Sequence, residues 1–206
     1  MFKEVENFIS KAECNDLIAF CKDLQPEQTQ YVTDHYLING ELGTVGELDE
    51  KVVKGEFFDL PFEHPMNEKL WPIAEEFARD NNYNMNISTG SSIIRYQQGG
   101  HYAWHTDGFN ETDRFTLSIQ LSDLDDYEGG EVQFGEDTQG SNRTTSQDIY
   151  HDWDLTQRSI KPVHTLSKNI GSICLYDAFI YHKVTPLTKG TRYVLLSWFR
   201  YYASII

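Results

Sequence analysis

A chain of 206 residues with 39% hydrophobic and 14% aromatic content is large enough for one core and too apolar for a disordered or low-complexity polymer. Its 32 acids against 17 bases give a net charge of -15, which repels a phosphate backbone wherever the sign is not locally reversed and disfavours nucleic acid as a partner. The excess is uneven: residues 1–90 hold 18 acids and 7 bases and residues 91–206 hold 14 and 10, while from Leu155 onward Arg158, Lys161, Lys168, Lys183, Lys189, Arg192 and Arg200 face only Asp177.

Met1 to Glu6 carries acids where a secretory signal needs a basic start and an apolar run. With no stretch of about 18 apolar residues, the expectation is a soluble, cytoplasmic protein without a membrane segment. Cys14 and Cys21 lie two helical turns apart and the cysteine count is odd, so buried free thiols are expected. Ser10 is placed as an N-cap, with Glu13 closing a capping box and Ile9 stapling onto Cys14. Leu17, Ile18, Cys21 and Leu24 continue that helix toward Pro26. A second helix is predicted over Pro65 to Asn81, through Leu70, Ile73 and Phe77, with Pro72 kinking or restarting it. Between the helices, Tyr31 to Leu60 is polar and acidic and suggests no chemistry.

From Ser88 the hydrophobic period falls to 2. Phe115, Leu117, Ile119 and Leu121 alternate with Thr116, Ser118, Gln120 and Ser122, the pattern of a half-buried strand. Further strands are predicted at Ile93 to Gln97, His101 to His105, Glu131 to Phe134, Ser172 to Tyr176 and Tyr193 to Tyr202, separated by glycine- and proline-bearing turns. Helices first and strands after imply a mainly β, closed or two-sheet architecture with N-terminal helices, in a single domain spanning 1–206. A polar insertion at about 135–165 reads as a long loop.

Of the seven histidines, His105 stands out because Asp107 follows two positions later, and alternate residues of an extended strand project to one face. On its own the pair equally fits a solvated hydrogen-bonded couple. A second segment adds His182, ten residues before Arg192 across a Pro/Gly turn. Two imidazoles and a carboxylate can hold non-haem Fe(II) on one side and leave positions open on the other. The planar fork of arginine suits a carboxylate bound bidentately.

Taken in order, Arg95-Tyr96-x-x-Gly99-x-x-Tyr102-x-x-His105-x-Asp107, then Tyr127-x-Gly129-Gly130-Glu131, then His182 with Arg192 and Trp198, resemble the iron(II)- and 2-oxoglutarate-dependent dioxygenases of the prolyl 4-hydroxylase type. The opening Val5 to Cys14 also resembles that family's N-terminal helix. The resemblance implies a double-stranded β-helix, or jelly roll, over 88–202, carried on a helical support region at 1–87. It implies His105, Asp107 and His182 as Fe(II) ligands, and Arg192 paired with the distal carboxylate of 2-oxoglutarate. Tyr96 would line the cosubstrate pocket and Trp198 would wall the active site. Tyr102 and His101 would stand beside the ligands or pack near them, and Glu131 with the Gly129-Gly130 pair would be structural.

The implied reaction hydroxylates a C–H bond, most plausibly of a prolyl residue in a peptide or protein, using O₂ and 2-oxoglutarate and releasing succinate and CO₂, with ascorbate as reductant. An intact Asp107 favours hydroxylation over halogenation, since related halogenases replace the carboxylate with a small residue. Related DNA demethylases usually place a second arginine six residues after the first, where this chain has Trp198. A free amino acid or small metabolite as substrate, or a jelly-roll binding module without catalysis, are the alternatives, and an acidic surface would suit a basic protein substrate. His35, His64, His151 and His164 carry no spacing signal.

Overall fold

A computed structural model of the chain describes residues 1–23, 36–38, 41–43, 53–108, 112–138 and 159–201. Its first helix, α1 (Lys11–Asp23), begins as the local chemistry dictates. The Ser10 N–H and hydroxyl both donate to Glu13 Oε2 at 2.8 Å, and the Glu13 N–H donates back to Ser10 Oγ at 3.2 Å, satisfying donors that no helical carbonyl can reach. The second helix, α2 (Pro65–Asp80), starts with Pro at its first position and His64 as its cap, the imidazole Nδ1 accepting from the Met66 N–H at 3.2 Å. Pro72 sits within it without ending it.

The strands in chain order are β1 (Phe2–Val5), β2 (Tyr36–Ile38), β3 (Glu41–Gly43), β4 (Val53–Lys54), β5 (Glu56–Leu60), β6 (Ile87–Tyr96), β7 (His101–His105), β8 (Asp113–Gln120), β9 (Tyr127–Gly129), β10 (Val132–Asp137), β11 (Ile160–Thr165), β12 (Ile173–Asp177), β13 (Tyr181–Val184), β14 (Leu187–Gly190) and β15 (Arg192–Arg200). They form a six-stranded sheet in the order β1-β12-β8-β15-β6-β5 and a five-stranded sheet in the order β11-β10-β13-β7-β4, with small pairs β14-β9 and β2-β3. The ladders are antiparallel.

Strand alternation assigns the two faces of the six-stranded sheet. Phe58, Ile93, Leu117, Ile119, Leu175 and Leu195 pack with Leu17, Leu70 and Phe77 of the two helices into the main core. The alternate residues turn inward to the other sheet. There Ile94, Tyr96 and Val194 meet Tyr102, Val132 and Val184, while Cys174 and Tyr176 meet Phe134. This two-sheet sandwich with helices on one outer face is the two-sheet architecture expected from the period, and it fits the jelly roll that the resemblance implies.

Several expectations change. The strand around Phe115 is buried on both faces, not half-buried: Thr116, Ser118 and Gln120 are 0%, 8% and 5% exposed, because their polar face looks between the sheets. The first 87 residues are more than helical support. They supply β1 and β5 to the large sheet and β4 to the small one, and Phe57, Phe58 and Leu60, inside the segment that reads as polar, are buried. The insertion begins and ends in a hairpin, since β10 pairs with β11 from Gln133↔Thr165 to Asp137↔Ile160. Residues 139–158, His151 among them, and His35 lie outside the described residues.

The free edges of the two sheets are joined by side chains. Glu4 on β1 accepts from the Ser167 N–H at 2.8 Å and lies 3.0 Å from His164 Nε2 on β11, and the Phe2 ring stacks on that imidazole at 4.5 Å. Cys14, Cys21 and Cys174 are free and buried, and burial pushes the first two thiols up to about 11, which leaves them inert. Among the described residues no helix is long and apolar enough to cross a membrane. Several C-terminal bases are paired with acids: Lys168 with Glu131 at 3.4 Å, Lys189 with Glu128 at 3.0 Å and Arg200 with Asp113 at 2.5 Å.

The cap also sets a pH response. Lys69, then the Ser10 N–H and hydroxyl, hold the Glu13 carboxyl down at about 2, below the ordinary value of about 4.3. A folded-state value below the unfolded one means stability that is present above about pH 4.3 and lost as the pH falls toward 2. Chemical unfolding should therefore show Ser10→Ala costing about 1 kcal/mol at pH 7. The gap between wild type and Glu13→Gln should shrink as the pH falls from 5 to about 2; a gap constant with pH would contradict the assignment.

Candidate active site

The inner face of the small sheet is set up by a bulge. His182 pairs with His105 and Val184 with Tyr102, so Ala103 and Trp104 of β7 oppose the single Lys183 of β13, and Tyr102 and His105 come to share one face. The Tyr102 ring stacks on His105 at 3.6 Å and 10°. Asp107 follows just past the end of β7. The next residue must be glycine, because a Cβ on Gly108 would lie 2.5 Å from the Phe179 ring, and its N–H donates to the Ala178 carbonyl at 2.7 Å.

These constraints bring three donors together. Ligand atoms of His105, Asp107 and His182 lie within 4.8 Å of one another, with His105 Nε2 3.6 Å from Asp107 Oδ1 and His182 Nε2 3.5 Å from Asp107 Oδ2. In each imidazole the other nitrogen faces a backbone carbonyl: His105 Nδ1 is 2.8 Å from Ala103 O and His182 Nδ1 is 2.9 Å from Ile180 O. Those carbonyls accept, so the protons sit on Nδ1 and both Nε2 lone pairs point toward Asp107. Burial, reinforced by the facing His182, pushes His105 down to about 3, so its ring is neutral at pH 7. Two neutral imidazoles and a carboxylate on one face are a donor set suited to a divalent first-row metal with open positions opposite.

Tyr176, which sequence reasoning did not single out, completes the cluster. Its hydroxyl donates to Asp107 Oδ2 at 3.1 Å and lies 3.4 Å from His182 Nε2. Burial holds the phenol protonated, far above its ordinary value.

Arg192 stands across from this sheet, on β15 in the inner face of the large sheet. It is 3% exposed, its Nε donates to Gln120 Oε1 at 3.1 Å, and its guanidinium lies 5.7 Å from the Tyr96 ring centre. The Gln120 amide donates in turn to the Tyr127 hydroxyl at 3.0 Å. Nη1 is buried with no hydrogen-bond partner, and among the described residues no carboxylate pairs with this cation. A buried, unneutralised guanidinium is costly, and the group that would relieve it is an anion with two acceptor oxygens. Gly130, at φ +64°, leaves room for the arginine stem, since a Cβ there would lie 3.2 Å from Arg192 Cδ.

The remaining sequence candidates sort by geometry. Tyr96 faces inward beside Arg192, its register partner. Burial raises its phenol, with Arg192 opposing and Asp107 adding, so the hydroxyl feels both ends of the site. Arg95 turns the other way and clamps Glu56 at 2.6 and 2.7 Å. Trp198 shares the inner face with Arg192 but stands six residues along β15, about 20 Å at roughly 3.3 Å per residue. It pairs with Thr116, which pairs with Tyr176. The structure thus sets Trp198 on the row of Tyr176, at the histidine end. His101 lies outside the donor set, its Nδ1 3.1 Å from Gly99 O. Gln120 and Tyr176 are the residues sequence reasoning missed, and Tyr127 stood in the quoted motif without a role; the signal for Gln120 was the polar half of strand alternation.

Comparison with known proteins agrees with this geometry. Residues 91–200 match the family model described as the 2OG-Fe(II) oxygenase superfamily. A PKHD-type hydroxylase of Idiomarina loihiensis is 34% identical over 112 residues, covering 52% of this chain and 40% of that protein. Another from Aliarcobacter butzleri is 27% identical over 155 residues, covering 68% and 58%. The chain thus spans about two fifths of the length of the first of these relatives and under two thirds of the second. Among solved structures, a viral collagen prolyl hydroxylase from Paramecium bursaria Chlorella virus-1 in complex with 2OG has a TM-score of 0.60 at 17% identity, over 98% of this chain and 96% of that one. A Trichoplax adhaerens prolyl hydroxylase in complex with a hypoxia inducible factor peptide fragment has a TM-score of 0.62 at 14% identity, over 97% and 83%. With a match over more than half its length and the donor set in place within it, the chain belongs to the 2OG-Fe(II) oxygenase superfamily.

Proposed function

We propose that the chain is an Fe(II)- and 2-oxoglutarate-dependent oxygenase that hydroxylates a C–H bond, with a prolyl residue in a peptide or protein as substrate. One observation carries the reading: a three-donor set borne by the small sheet and, on the inner face of the large sheet, a buried guanidinium with no carboxylate partner among the described residues both face the space between the two sheets. A small dicarboxylate bound to a metal at one end and to a cation at the other answers both. The likeness to prolyl hydroxylase folds supports the prolyl substrate.

In this reading His105, Asp107 and His182 hold the iron, and Arg192 takes the distal carboxylate of the cosubstrate. When bound, iron and 2-oxoglutarate together supply the oxidation, with one oxygen atom going to the substrate C–H and the other to succinate as CO₂ leaves. The protein's part is positional. The Ala103 and Ile180 carbonyls fix the imidazole tautomers, and Gln120 and Tyr127 hold the guanidinium plane. Tyr96 and Val194 from one sheet and Val184 from the other keep bulk water from the path between the ends. Trp198, at the histidine end, walls the side from which a peptide approaches. Ascorbate is the reductant that keeps the iron ferrous, the three unpaired cysteines suit a reducing cytoplasm, and the acidic surface suits a basic peptide.

Iron-free protein given Fe(II) and 2-oxoglutarate without O₂ should develop a visible metal-to-ligand charge-transfer band, and His182→Ala should lose it. A wild type without the band, or a variant that keeps it, contradicts the ligand assignment. After aerobic incubation with ascorbate, mass spectrometry of proline-containing peptides should show a one-oxygen gain on proline; gain on another residue or on free amino acids alone would keep the oxygenase and discard the prolyl substrate. Arg192→Met removes a charge that the ligand-free fold holds at a cost. Thermal melts with manganese should show 2-oxoglutarate stabilising the wild type and not the variant, and equal stabilisation of both would remove Arg192 from the cosubstrate site.

A further inference from the structure

Within the donor cluster one polar group has no duty among those assigned to the ligands. The Tyr176 ring is held by packing alone: Phe134 at 5.1 Å and His182 at 5.0 Å flank it, it is 2% exposed, and its strand lies between β1 and β8. Phenylalanine would fill that space equally well. A buried hydroxyl is costly unless it is bonded, and this one reaches two acceptors, Asp107 Oδ2 at 3.1 Å and His182 Nε2 at 3.4 Å. A phenol carries one proton. The carboxylate is the nearer and the charged acceptor, which favours it, and a metal on His182 Nε2 would occupy that nitrogen's lone pair and leave Asp107 as the partner.

We propose that Tyr176 is a positioning residue that pins Asp107 Oδ2, so that the carboxylate offers the metal one oxygen and the second cannot close over a position the cosubstrate needs. The inference rests on the iron site proposed above and concerns the state of that site before any reaction. A carboxylate beside a metal can bind through one oxygen or two, and a hydrogen bond to the outer oxygen decides between them. Loss of the phenol proton donor should thus weaken metal binding, by removing support from a ligand, and weaken cosubstrate binding at saturating metal, by freeing Oδ2.

The test uses cobalt(II) as the metal and compares wild type with Tyr176→Phe. Tyr83→Phe serves as the matched control, since the Tyr83 hydroxyl also donates to a carboxylate, that of Asp177, on the face packed against the helices. Metal affinity is read by competition with a chelator, and 2-oxoglutarate affinity by its perturbation of the cobalt absorption bands. Tyr176→Phe should lose roughly 10- to 100-fold in metal affinity, alter the cobalt spectrum and bind 2-oxoglutarate more weakly when metal-saturated, while Tyr83→Phe matches wild type. Near-UV circular dichroism of the metal-free proteins checks that packing is kept, and Tyr176→Met, which also lacks the hydroxyl, should repeat the loss. Wild-type affinities and spectrum in Tyr176→Phe would overturn the role of Tyr176 while leaving the iron site standing. A wild type that binds no cobalt would overturn the site and this inference together.

Discussion

The group on which the interior turns is a full positive charge at 3% exposure. Hydrophobic burial cannot hold Arg192 where it is; it opposes it, by several kcal/mol for an unrelieved ion. The fold accepts that charge by surrounding it with polar atoms taken from positions that would otherwise be apolar. Gln120 is spent on Nε, Tyr127 on Gln120, and the face of the Tyr96 ring on the cation. What stays unrelieved is Nη1, and that residue of strain points into the space between the sheets. A buried cation with so few acceptors around it suits an anion that brings two oxygens.

The donor set on the facing sheet obeys a different constraint. Three donors must stand close without being spent on one another, which requires two imidazoles neutral and the carboxylate free to accept. Backbone carbonyls supply the first condition, since each Nδ1 proton is already engaged, and burial opposes any second proton on His105. The bulge in β7 supplies the geometry. A regular ladder would have put Tyr102 and His105 on opposite faces, whereas the inserted residue lets one support the other by stacking.

Much of this was legible in the sequence where a local rule acts alone. The Ser10/Glu13 capping box, the α2 start at Pro65 and the alternation through Phe115 to Leu121 each depend on neighbours a few residues away. The spacing of His105 and Asp107 put them on one face, and the family resemblance added His182 to them. What escaped was decided by partners far along the chain. Alternation assigns Thr116, Ser118 and Gln120 to one face but does not say that a second sheet will cover it, so a buried polar row looked like a solvated one. Phe57 and Phe58 were hidden in an acidic segment, since what makes β5 a strand is its pairing with β6. Tyr176 lies six residues before His182 across a turn, and no spacing rule links a phenol to a carboxylate 69 positions earlier.

The order of strands in the large sheet has a consequence for how the molecule comes into being. β15, the last strand of the chain, lies between β8 and β6 in the middle of the sheet, and β1, the first, waits at the edge for β12. The Glu4 contact to His164 spans 160 residues. A nascent chain emerging from the ribosome can form its helices early, but the sheet that packs on them keeps a gap at its centre until residues near 200 are released. Closure of this sheet therefore waits on contacts of high sequence separation, which form slowly. During that interval the unpaired edges of β6 and β8 are open to any other strand that reaches them first.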